Sequence, residues 1–154
     1  MARMAVWRST FEVAMVGALA GIAIPAFADE PLTHPVTLEI RGLRSDHGVV
    51  RAGLFDRRET FLAEGHEVAR CVAEIHDGVA RCALGEVADG AYALAFFHDE
   101  DDDGAIDRNF FGIPEEGFGF SNDAAPGLGP PSFESASFAV SARTIHRVHA
   151  RYGL

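Results

Sequence analysis

Lysine is missing from this chain altogether, so apart from histidine every basic side chain is an arginine. The 13 arginines face 23 aspartates and glutamates, a formal net charge of −10. A surface so short of positive charge repels phosphate backbones and anionic lipid heads, which argues against nucleic acid as a partner. Cations, basic proteins and neutral glycans stay open. Long apolar runs are also lacking. The longest, Val13–Ile24, falls short of the roughly 20 residues that a membrane-spanning helix needs. Cysteine is nearly absent, with only Cys71 and Cys82. Phe, Val, Leu and Ile nevertheless recur throughout, which excludes a disordered chain.

That apolar run has the setting of an export signal. Arg3 and Arg8 precede it with no acidic residue before Glu12, and Pro25 and the small-x-small triplet Ala26-Phe27-Ala28 follow. A positive end, a short apolar helix and a cleavage site are the three parts of a secretory signal. Residues 1–28 therefore read as a signal peptide, cleaved after Ala28, and 29–154 as one β-domain that is periplasmic or secreted. No stable membrane insertion is expected once the signal is removed. No cysteine follows the cleavage site, so lipid attachment is not expected there. The remainder is more acidic still, with 11 basic and 22 acidic side chains.

In an oxidising compartment two cysteines invite a disulfide. Cys71, Ala73 and Ile75 alternate with Val72, Glu74 and His76, and Ala80, Cys82 and Leu84 alternate with Val79, Arg81 and Ala83. Asp77-Gly78 between them is a hairpin signal. The spacing predicts one hairpin with both sulfurs on its apolar face and bridged.

Further alternating runs predict strands around Val36–Arg41, Val50–Leu54, Gly90–His98, Ser135–Val140 and Thr144–Tyr152. With the two cysteine strands these make seven. A short helical turn is expected near Glu59–Ala63. Strands bounded by Gly, Asp and Ser turns favour an all-β fold, an antiparallel β-sandwich of immunoglobulin or transthyretin type. Between Asn109 and Glu134, five glycines and four prolines forbid long regular elements. Yet Phe110, Phe111, Phe118, Phe120 and Phe133 are too apolar for a solvated linker. This long irregular Gly/Pro/Phe-rich loop is expected to cap the sandwich, to serve as a recognition surface, or both. Phe118, Phe120, Ser121 and Asn122 are the expected contact residues.

The stretch Asp99-Glu-Asp-Asp-Asp-Gly-Ala-Ile-Asp107 carries the sharpest chemistry. Asp99, Asp101 and Asp103 alternate and Gly104 follows, the D-x-D-x-D-G opening of a calcium loop. Calcium takes six to eight oxygens, and alternate carboxylates in a tight loop can supply them. The Ala105 carbonyl and Asp107 fall at the seventh and ninth positions, and Ile106 matches the apolar eighth. The twelfth position, usually a bidentate Glu, is Phe110, so Glu115, Glu116, Asn109 or water must complete the shell. Neighbouring carboxylates about 6 Å apart in water repel by roughly 0.7 kcal/mol per pair, a penalty that a divalent ion removes. Calcium is the expected cofactor.

Tyr92-Ala93, His98-Asp99, Asp103-Gly104, Asp107, Gly112-Ile113-Pro114, Glu116-Gly117, Gly119-Phe120-Ser121-Asn122 and Pro130-Pro131-Ser132-Phe133 together resemble the DUF2141 family of bacterial exported proteins. Val36, Gly42-Leu43-Arg44 and Gly48 extend the likeness over most of 29–154. The resemblance implies a small exported β-domain and no particular activity. Family members typically carry Asn at some of the places where Asp101 and Asp103 stand here.

No nucleophile motif accompanies these features. Ser121 lacks the G-x-S-x-G elbow, and the seven histidines show neither helical H-x-x-x-H spacing nor a cysteine partner for zinc. The sequence points to a non-catalytic, calcium-stabilised exported module whose Phe/Gly loop meets a protein or glycan. Two alternatives remain. A purely structural periplasmic domain would show neither a pocket nor an exposed aromatic patch. A hydrolase similar to the transthyretin-like enzymes, whose tail Arg151-Tyr152-Gly153 resembles, predicts a pocket where His98 or His146 meets arginine and Ser121.

Overall fold

A computed structural model describes residues 31–153. The signal-like segment 1–28 and its cleavage site lie outside them. Among the described residues nine strands form: β1 Thr33–Arg41, β2 Val49–Phe55, β3 Ala69–Ala73, β4 Ile75–His76, β5 Val79–Ala88, β6 Gly90–Asp99, β7 Phe118–Phe120, β8 Phe138–Val140 and β9 Thr144–His149. They make two sheets, ordered β4-β5-β1-β9 and β3-β2-β6-β7, with β8 pairing the first residues of β6. All pairings are antiparallel except β1 with β9. The chain is an all-β sandwich.

Alternation of side chains explains the layers. Val36, Leu38 and Ile40 of β1, Val50, Ala52 and Leu54 of β2, and Tyr92, Leu94 and Phe96 of β6 enter one core between the sheets. The other face of β6 is not left to solvent. Ala93 packs there with Phe118, Phe120 and Ala136 in a second cluster, with Ala95, Phe97, Phe61 and Phe133 around it. The long Gly/Pro/Phe loop thus folds back across the outer face of the five-stranded sheet. Its middle forms β7, which pairs Ala95–Phe97 with Phe120–Phe118.

The cysteine region differs from the expected single hairpin. The Asp77-Gly78 turn does close a hairpin, with both residues at positive φ, but its strands are β4 and β5. β3, which carries Cys71, pairs with β2 in the other sheet. The chain changes sheets at Glu74. Cys71 and Cys82 are bridged, with Cα atoms 5.8 Å apart, and the bond ties one sheet to the other. Smaller corrections follow from the caps. Ser132 accepts the amide of Ser135 and starts a helical turn, α1 at Phe133–Ala136, so the strand expected from Ser135 begins only at Phe138. The turn expected at Glu59–Ala63 is a single 3-10 turn at Arg58–Thr60. Among the described residues no helix is long and apolar enough to cross a membrane.

Candidate functional site

The acidic loop leaves the end of β6, and a hydrogen-bond frame holds its two ends. Asp99 is fully buried. Its carboxylate accepts the amides of Asp103 at 3.1 Å and Gly104 at 3.0 Å and is paired with the Arg51 guanidinium from β2. Arg51 also reaches Asp102 at 2.6 Å. Burial pushes the Asp99 carboxyl up, but Arg51 and the two amides outweigh it and hold it below the ordinary carboxylate range. Glu116, also buried, accepts the Glu100 amide at 2.7 Å and the Asp107 amide at 3.0 Å. One carboxylate thereby pins both shoulders of the loop. Gly104 has φ +87°, the left-handed turn that the loop requires. Gly48 (φ +69°) passes so close to the backbone of Asp99 that a Cβ would fall 1.9 Å from its carbonyl oxygen.

Carboxylate oxygens of Asp99, Asp101 and Asp103 lie within 4.8 Å of one another. Asp107 is not in that group, although its backbone amide is tied to Glu116. Glu116 spends both oxygens on amides. Asn109 caps its own turn, accepting the amides of Phe111 and Ile113 at 2.9 and 3.1 Å. Neither joins the cluster. Three carboxylates form the convergent set, and both oxygens of one of them, Asp99, are already engaged by the Asp103 and Gly104 amides and by Arg51. Such a set fits calcium through few protein oxygens, the remainder of its six to eight ligands being left to backbone and water.

Beside this loop a groove of about 960 Å³ runs over the outer face of the five-stranded sheet. Gly53, Ala95, Phe97, Phe118 and Phe120 line its sheet side. The segments Gly104–Pro114 and Pro126–Pro130 contribute its flanks, and Glu67, Arg70 and Arg108 add charge. Phe118 and Phe120 are nearly buried. Ser121 is fully buried, and its hydroxyl accepts the Leu94 amide at 2.9 Å and donates to the Ala136 carbonyl. Asn122 is exposed and uses its amide nitrogen on the Ser137 carbonyl at 2.8 Å. Large apolar side chains that do face solvent are others: Leu128 and Val72, which line the groove, and Phe110 and Phe111, 96% and 81% exposed, on the turn beside it. A tight turn presents the two phenylalanines. Asn109 and Ile113 close it backbone to backbone at 2.9 Å, and Arg108 donates to the Gly112 carbonyl at 3.0 Å.

The histidines and Ser121 lie apart from this groove. His98 is fully buried. Its Nε2 faces the His47 carbonyl at 2.7 Å and donates to it, and its Nδ1 is hydrogen-bonded to the Tyr152 hydroxyl at 2.8 Å. The same hydroxyl accepts the Arg44 amide at 3.0 Å. His146 stacks on Phe138 and accepts the Asn122 amide at 3.1 Å. Arg151 donates to the Asp123 carbonyl at 2.6 Å. Each of these groups is engaged by the fold, and none of them lines the groove.

The family model for uncharacterized proteins conserved in bacteria, DUF2141, matches residues 38–147. That span runs from the middle of β1 into β9 and contains the acidic loop, the groove and the disulfide. The chain belongs to the DUF2141 family. No curated protein and no solved structure matches it. Two of the residues that organise the site in this DUF2141 chain escaped the sequence reading. Arg51 sits 48 positions before Asp99, in a strand whose alternation says only that it faces outward. Glu116 stood out as a spare ligand, and its role as a staple depends on amides that no spacing identifies.

Proposed function

We propose that this DUF2141 protein is an exported, non-catalytic binding module that grips apolar side chains of a protein partner in the groove beneath its Phe/Gly loop. The groove carries the reading. At about 960 Å³ it is at the upper end of the range of ligand sites, and its floor is chiefly apolar and aromatic. Phe110, Phe111 and Leu128 add an exposed apolar rim, the kind of patch that marks an interaction surface. Calcium belongs to this reading as the ion that stiffens the acidic rim. The support for it is the convergence of Asp99, Asp101 and Asp103 and the turn at Gly104. Export to the periplasm or the medium rests on the signal-like residues 1–28.

Ala95→Trp tests the groove, because Ala95 lies on its floor and outside the core between the sheets. The wild-type domain is expected to bind a hydrophobic reporter dye saturably and to be crosslinked to a partner in periplasmic extract. The variant should lose both and keep the wild-type far-ultraviolet circular dichroism; because Ala95 packs against the Phe118 and Phe120 cluster, its melting temperature should fall. Dye and partner binding that survive Ala95→Trp would sink the proposal.

A further inference from the structure

The chain is acidic as a whole, yet three arginines gather at one place on it. On the outer side of the four-stranded sheet, Glu39 of the central strand β1 sits across from Arg81 of β5 and from Arg147 of β9. Its neighbours Leu38 and Ile40 point into the core, which places Glu39 and Arg41 together on the outer face. Glu39 is buried under three guanidinium groups. Arg41 donates to its Oε1 through Nε at 2.9 Å and Nη2 at 2.7 Å, and Arg81 Nε donates to Oε2 at 3.0 Å. Arg147 Nε stands 3.5 Å from Oε1. Among the described residues none of the three pairs with another carboxylate.

Satisfying one glutamate does not require this many arginines. The third guanidinium makes no hydrogen bond to Glu39, and the cluster keeps two positive charges in excess. All three side chains are more than half exposed. Each guanidinium has five N–H donors in a planar fork that matches oxyanions in pairs. Only three donors in the cluster are used on Glu39, so most still face outward. We propose that this face is a binding site for a compact soluble ligand carrying two or more linked oxyanions, of phosphate or sulfate type. Spacing sets the valency. Arg81 and Arg147 stand on strands to either side of β1, so roughly 10 Å separates their backbones. One tetrahedral anion cannot use the whole width of the cluster, whereas two or three linked ones can. Charge sets the size. An extended polyanion or an anionic membrane would meet more of the acidic surface beyond the cluster than a compact ligand does, and Glu74, in the hollow beside Arg81, already bounds the site on that side.

The site can be tested on the exported domain by two-dimensional NMR of the arginine Nε–H groups, with sodium tripolyphosphate as probe. The Nε–H signals of Arg41, Arg81 and Arg147 should shift saturably, and added salt should weaken the effect. Inorganic phosphate should bind about tenfold more weakly because it engages fewer forks. Arg147→Gln leaves the hydrogen bonds of Glu39 intact and should weaken tripolyphosphate binding several-fold. Arg81→Gln with Arg147→Gln should abolish saturation while the remaining spectrum stays folded. The proposal fails if these signals do not move, if Arg147→Gln binds as wild type does, or if phosphate matches tripolyphosphate. Preference for phosphatidylglycerol vesicles over the soluble probe would overturn it as well.

Discussion

At the scale of single residues, the acidic loop shows how one carboxylate can matter more than its neighbours. Asp101 and Asp103 are exposed, whereas Asp99 and Glu116 are buried and collect the amides that shape the turn. Glu116→Ala should leave the Glu100 and Asp107 amides without their acceptor and cost about 3 kcal/mol in denaturant unfolding, because bonds to charged groups are the strong ones. Calcium should raise the melting temperature with its free concentration, by about 2.7 kcal/mol of stability at roughly 100 times its Kd. Asp101→Ala and Asp103→Ala should remove that calcium response and leave the apo domain folded, since relieving like charge in an exposed loop does little harm. Unchanged melting across millimolar calcium in the wild type would leave the loop as a solvated turn. The D-x-D-x-D-G spacing was readable from the sequence because such ligands are local. Arg51 was not, because its partner is distant along the chain.

At the scale of elements, the strands were legible and their assignment to sheets was not. Period-two alternation marks Val36, Leu38 and Ile40 as inward wherever the strand lies, so β1, β2 and β6 follow from the sequence directly. The same alternation on either side of Asp77-Gly78 gave no sign that the chain changes sheets at Glu74. Pairing is set by burial of both faces, and a hairpin turn constrains only the two strands it joins. Similarly, Phe118-Gly119-Phe120 looked like loop because glycine weakens a strand. Gly119 is needed there, since a Cβ would lie 2.6 Å from the Phe96 ring. The disulfide therefore has a larger task than stapling a hairpin. It closes a loop across the two layers, 11 residues apart in sequence. Cys71→Ala with Cys82→Ala should lower unfolding stability by roughly 3 kcal/mol in the chain-entropy model. Chemical denaturation measures this, and the variant's far-ultraviolet circular dichroism should match wild type.

At the scale of the whole molecule, the excess of acid is arranged so that many carboxylates have a native partner. Hydrogen bonds from Arg41 and then Arg81 hold Glu39 below its ordinary range. The amides of Gly78 and Asp77 do the same for Asp46, which ties the β4–β5 turn to the segment after β1. Arg44 does so for Glu100. For Asp99 and Asp123 burial pulls upward, and arginine, histidine and amide partners overcome it. Groups depressed on folding bind protons more readily in the unfolded chain. Their contribution is complete above the unfolded value, about 4, and is lost as pH falls through the lower folded values. The melting temperature should then stay nearly level in this respect from pH 7 to pH 5 and fall steeply below about pH 4. Asp46→Asn removes one of these groups without touching either core, so its melting curve should start lower at pH 7 and lose less between pH 5 and pH 3. Equal losses in variant and wild type would show that Asp46 takes no part in the acid transition, and that the β4–β5 turn is held by something other than its carboxylate.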